Sequence, residues 1–206
     1  MNRIPAAVML AIVGSGSILL TGCAMFRTSV SDSNIEKPVR YDATYGYEDM
    51  RTLGKAVGDA VVSSDFLKNL KTEPIFVVMG IQNRTTEHID TKALTDTMRT
   101  AMMESGKIKF VNEVRRDDLL KEQGYQAAHA TPETQAAIGK QLGANYMLTG
   151  SLVEIENKQG REVRVAQESD IYFQLTTEIT DLETGLIVWS KQNERARTAS
   201  KPLIGW

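Results

Sequence analysis

The residue best equipped for chemistry is Cys23, the only thiol of the 206-residue chain. It closes an apolar run from Ala6 to Leu20 that follows a positive start at Arg3. The run is about fifteen residues, short of the roughly 20 that cross a bilayer, and its charge pattern predicts an export signal over 1–22. Thr21 and Gly22 put small side chains before the thiol, as a signal-peptidase pocket requires. Other reactive groups do not assemble. His88 and His129 lie far apart in predicted loops, without the carboxylate or thiolate neighbours of a metal site. No G-x-S-x-G elbow, H-E-x-x-H helix or glycine-rich phosphate loop occurs. Asp117-Asp118 beside Arg115-Arg116 reads as a solvated helix face. These absences predict a protein that is not an enzyme, with no catalytic residue, metal or cofactor. Partner-binding candidates are Asn83 and Arg84, in a loop expected to leave a buried strand, and the hairpin tip Asn157, Lys158, Gln159, Gly160 and Arg161.

The order Leu20-Thr21-Gly22-Cys23 is similar to the lipobox of bacterial lipoproteins. That resemblance implies cleavage before Cys23, a diacylglycerol thioether on its sulfur and an acyl chain, such as palmitate, on the new amino group. Several chains together anchor stably, because each buried methylene contributes about 0.8 kcal/mol. Ala24 follows, where an aspartate would retain a lipoprotein at the inner membrane, so the expected place is the outer membrane, facing the periplasm.

Removing 1–22 leaves enough chain for one domain with its own core. Hydrophobic residues at 42% and charged residues at 24% are ordinary for such a domain. A net charge of −2 argues against nucleic acid as a partner. Once Cys23 is acylated no disulfide can form, so packing alone must hold the fold.

The elements that position any site follow in order. Residues 23–44 have no helical or strand period and predict a flexible tether reaching at most roughly 65–70 Å. Met50, Leu53, Val57 and Val61 set a helix over about 48–69, and Ile75 to Met79 a strand buried on both faces. A polar loop from Gly80 to His88 precedes a helix capped by Asp90 or Thr91 and carrying Leu94, Met98 and Met102. A short strand at 108–111, a charged helix over 113–123 with Val114, Leu119 and Leu120 facing inward, and a helix opened by Thr131-Pro132 come next. Three segments, 145–156, 162–180 and one starting at Leu186, predict an antiparallel meander. Together these give an α/β fold in which a mixed sheet is flanked by helices, a single domain over 45–195, with 196–206 as a polar tail.

Three segments then carry a family pattern: Val77-Val78-Met79-Gly80-Ile81-Gln82-Asn83-Arg84-Thr85, Gly143-Ala144-Asn145-Tyr146-Met147-Leu148 and Thr184-Gly185-Leu186-Ile187-Val188-Trp189-Ser190. Their order resembles the LpoB family, with distant similarity to CsgG and TolB N-terminal domains. The resemblance implies an outer-membrane lipoprotein that binds and activates a class A penicillin-binding protein, with a mixed sheet, no active site and no small-molecule substrate. It transfers no contact residue. The tether here has one proline and is shorter than the family's best-known ones. The alternative is a CsgG-like structural or secretion component, which would need strands with an apolar lipid-facing side.

Overall fold

The computed structural model describes residues 43–122, 124, 131–158 and 166–202. The segment 1–22, Cys23, nearly all of the 23–44 tether, His129, Gln159, Gly160, Arg161 and residues 203–206 lie outside the described residues. The elements are α1 (Tyr47–Ser63), α2 (Asp65–Lys68), β1 (Ile75–Arg84), α3 (Thr91–Met103), β2 (Lys109–Phe110), α4 (Glu113–Glu122), α5 (Pro132–Gln141), β3 (Tyr146–Lys158), β4 (Ala166–Asp181) and β5 (Ile187–Pro202).

The sheet order is β2-β1-β3-β4-β5. β1 runs parallel to both β2 and β3, while β3, β4 and β5 form the antiparallel meander. The fold is therefore the mixed α/β sheet the sequence predicts. Alternation along the strands decides what each face buries. Phe76 and Val78 of β1, Leu148 and Leu152 of β3, and Phe173, Leu175 and Ile179 of β4 meet Leu53, Val57 and Val61 of α1 and Leu94, Met98 and Met102 of α3. Each such side chain, fully buried, contributes roughly 1.5–3 kcal/mol. On the opposite face a smaller cluster joins Val77, Ala144, Met147 and Leu182 beside α5. Gly58 brings α1 against α3 so closely that a Cβ there would sit 2.5 Å from the Ala101 Cβ.

Several boundaries differ from the sequence reading. The first helix breaks at Ser64, whose extended backbone and hydroxyl, accepting from the Leu67 N–H, start α2 afresh. Val114 faces solvent at 65% exposure, so of the three residues expected to point inward on α4 only Leu120 is fully buried. Arg116 is not part of a solvated face: it donates to the Val78 carbonyl of β1 and pairs with Asp117 at 2.8 Å. β1 does not stop at Met79 but runs on to Arg84 through a bulge, where Val78 pairs with Leu148 and Gly80, not Met79, with Thr149. Gly80 adopts φ +92°, which side-chain-bearing residues rarely reach, and so lets the strand continue where a polar loop was expected. β5 likewise extends to Pro202, through much of the stretch assigned to a tail, because β4 supplies backbone partners along its whole length. At the other boundary, Ala43 is already buried.

Candidate functional site

Asn83 and Arg84, two of the partner-binding candidates, lie at the end of the sheet where β3 leads on to two more, Asn157 and Lys158. β1 ends beside the β3–β4 ribbon, with Arg84 opposite Val153. The loop after β1 is braced to the ribbon by Thr86, whose backbone N–H (3.2 Å) and hydroxyl (2.9 Å) both donate to Glu154 Oε2. The two differ in what their side chains do. Asn83 builds the turn: its Oδ1 accepts from the Thr85 N–H (3.0 Å) and hydroxyl (2.8 Å), and its Nδ2 donates to the Glu87 carbonyl (2.9 Å). A side chain so engaged has little left for a partner. Arg84, one residue on, is exposed and meets no hydrogen-bonding or ionic partner among the described residues. On the ribbon Asn157 is exposed opposite Asp170, and Lys158 pairs through its backbone with Ser169. Gln159, Gly160 and Arg161 lie outside the described residues.

The same end of the sheet is where the chain enters the domain. Asp49, in the first turn of α1, is fully buried; its Oδ2 accepts from the Gly46 N–H (2.9 Å) and its Oδ1 meets Arg195 (3.5 Å) and Arg197 from β5. Arg195 also reaches Glu48 at 3.2 Å, and Arg197 donates to the carbonyls of Ala43 and Thr44. The Tyr45 N–H donates to Glu87 Oε2 (3.1 Å) and its ring stacks edge-on against Phe173, centroids 5.4 Å apart. Burial, and secondarily the Asp49 charge, hold the Tyr45 phenol far above its ordinary pKa, so it stays neutral. This latch escaped the sequence reading. Its one local signal was the basic alternation Lys191, Arg195, Arg197 along one side of a polar strand.

A cavity of about 710 Å³ lies beside the β1 bulge, lined by Gln82, Thr95, Gln135 and a charged group from α3 and α4. Its charges are matched internally: Lys92 meets Glu113 at 3.0 Å, and Arg116 meets Asp117 at 2.8 Å. The Glu113 and Asp96 carboxylates accepting from Lys92 raise its pKa, which keeps it protonated. Among the described residues no three His, Cys, Asp or Glu side chains gather as a metal site. His88 sits exposed in the loop before α3. No described helix is long and apolar enough to cross a membrane.

The peptidoglycan-synthase activator LpoB family matches residues 51–194. The LpoB C-terminal domain from Salmonella enterica superposes with a TM-score of 0.55 at 19% identity, covering 71% of this chain and 98% of that one. The domain from Escherichia coli gives 0.55 at 18% identity, covering 72% and 99%. At such identities the likeness speaks for the fold. No curated protein sequence matches.

Proposed function

Because the chain belongs to the peptidoglycan-synthase activator LpoB family, we propose that it is an outer-membrane lipoprotein whose domain binds and activates a class A penicillin-binding protein and catalyses nothing itself. The observation that carries this reading is the family match, which spans residues 51–194 and thus almost the whole described domain. The geometry supports a binding role. The charged groups of the cavity are paired with one another, while exposed groups collect where β1 meets the ribbon. The sheet gives no support to the pore alternative: the outward residues of β3 and β4 include Ser151, Gln174, Thr176 and Glu178, a polar series where lipid would demand an apolar band.

Cys23 is the anchor in this reading, and the 23–44 segment the spacer. With a domain radius of gyration near 15 Å, spacer and domain together reach roughly 100 Å from the membrane. The Cys23→Ser variant is expected to leave the membrane fraction or to accumulate unprocessed. Full retention of that variant in mature form would sink the anchor. For the partner, the detergent-solubilised lipoprotein is expected to capture the class A synthase of its own cell envelope and to raise its glycan-polymerising rate. Capture without stimulation, or neither, would refute the activator role.

A further inference from the structure

The outward face of the β3–β4–β5 ribbon offers an apolar row that no described element covers. Ile155 of β3 stands opposite Tyr172 of β4, which stands opposite Ala196 of β5. Tyr172 alternates with the buried series Phe173, Leu175 and Ile179, so all three row members point away from the core. Ile155 is 53% and Tyr172 39% exposed. In the next row Arg84, Val153, Gln174 and Glu194 lie side by side across four strands. Strands are spaced about 4.8 Å apart, which places the Arg84 guanidinium within side-chain reach of Ile155.

The charges of this region are unbalanced in one respect. Its carboxylates already accept hydrogen bonds: Glu194 from Gln174 at 3.0 Å, Asp170 from Thr198 at 2.7 Å, and Glu154 from Thr86. Glu178 shares the face but lies four residues along β4 from Gln174, about 13 Å away at strand rise. Among the described residues Arg84 is paired with no carboxylate. A tyrosine and an isoleucine flanked by an unmatched arginine is the composition of an interface centre, since Tyr and Arg carry a disproportionate share of binding energy and surrounding polar groups exclude water.

From this we infer that the face formed by Arg84, Val153, Ile155, Tyr172 and Ala196 is the docking surface for the synthase, which presents a carboxylate to Arg84 beside an apolar patch that covers Tyr172 and Ile155. The inference rests on the activator reading and adds the surface and the chemistry of what it meets. A second copy of this chain is the weaker occupant, because the carboxylates nearest its row, Glu194 and Asp170, already accept hydrogen bonds, and Glu178 lies about 13 Å from Gln174 along the strand.

The test uses the full lipidated chain in detergent with the class A synthase of the same organism, and measures binding of the wild type, Arg84→Glu, Tyr172→Ser and the same-face control Glu178→Lys. Arg84→Glu and Tyr172→Ser are expected to weaken binding by about tenfold or more, Glu178→Lys by less than about twofold, as for central against rim residues. Arg84→Glu should also flatten the salt dependence. All three should melt close to the wild type, since Arg84 and Tyr172 are exposed and Glu178 is only half-buried on the outer face. Wild-type capture that both row variants leave unchanged overturns the surface alone. So does wild-type self-association that those variants abolish while synthase capture persists. A wild type that captures no synthase overturns the activator reading, and the surface with it.

Discussion

Asp49→Ala is expected to lower the unfolding free energy by about 3–5 kcal/mol, the cost of removing one partner from a buried ion pair. The carboxylate is fully buried, and Arg197, at 11% side-chain exposure, is nearly so. Deleting it leaves that guanidinium desolvated without a counter-charge and leaves the Gly46 N–H without its acceptor. Domains of this size have total stabilities of roughly 5–15 kcal/mol, so the variant should stand close to the edge of folding. The neighbouring Glu48–Arg195 contact is about one-third exposed at each side chain. Glu48→Ala should therefore cost less than about 1 kcal/mol. Urea midpoints of both variants measure the difference. The double variant Asp49→Ala with Arg197→Met should recover part of the loss, because no unmatched charge then remains. An Asp49→Ala midpoint within error of the wild type would show the latch to be ornamental to stability.

The second large effect is expected at Gly150. A Cβ there would meet the Thr176 backbone oxygen at 2.4 Å and Ile81 Cδ1 at 2.8 Å. A flexible side chain can move aside, but the Thr176 oxygen belongs to the β4 ladder that pairs Ser151 with Thr176. Gly150→Ala must therefore push β3 from β4 at the centre of the sheet, costing about 3 kcal/mol, the upper end of overpacking penalties. Gly80→Ala makes the contrast. Nothing lies within 4 Å of its would-be Cβ, and only its φ of +92° resists substitution. Its cost should be about 1–2 kcal/mol from backbone strain alone. Thermal melts of the pair distinguish steric from conformational glycines; equal losses would contradict this account.

The sequence was most legible where one strand faces one core. β4 shows it best: Ile171, Phe173, Leu175, Thr177 and Ile179 alternate with more polar residues, and of these Phe173, Leu175, Thr177 and Ile179 are buried and Ile171 half-buried. Legibility failed where a distant element supplied what the local pattern lacked. The end of β5 looks like a tail because its residues are polar and basic, Arg195 and Arg197 among them. These two arginines are tolerated on the inward side because Glu48 and Asp49, 146 or more residues away, arrive to match them. β1 appeared to end at Met79 because a bulge breaks the two-residue period and a glycine at that point reads as punctuation. For the site, turn polarity drew attention to Asn83, whose amide the turn consumes, and to Arg84, which it leaves free. The row Ile155–Tyr172–Ala196 was invisible until the strand register brought three separated positions together.

The latch between α1 and β5 also bears on the order in which the fold can be completed. Arg197 reaches the carbonyl of Ala43 across 154 residues of chain. A polypeptide that emerges amino-end first holds Asp49 without its arginines until nearly all of the domain has been made. Burying that carboxylate early would cost several kcal/mol. The first helix therefore cannot settle in its native place on the growing chain, and the loop that must close is nearly as long as the domain. Closure of so distant a contact is slow compared with forming a helix hairpin. A chain cut short before Arg195 should keep its amino-terminal segment open to proteases, however well its central strands are paired.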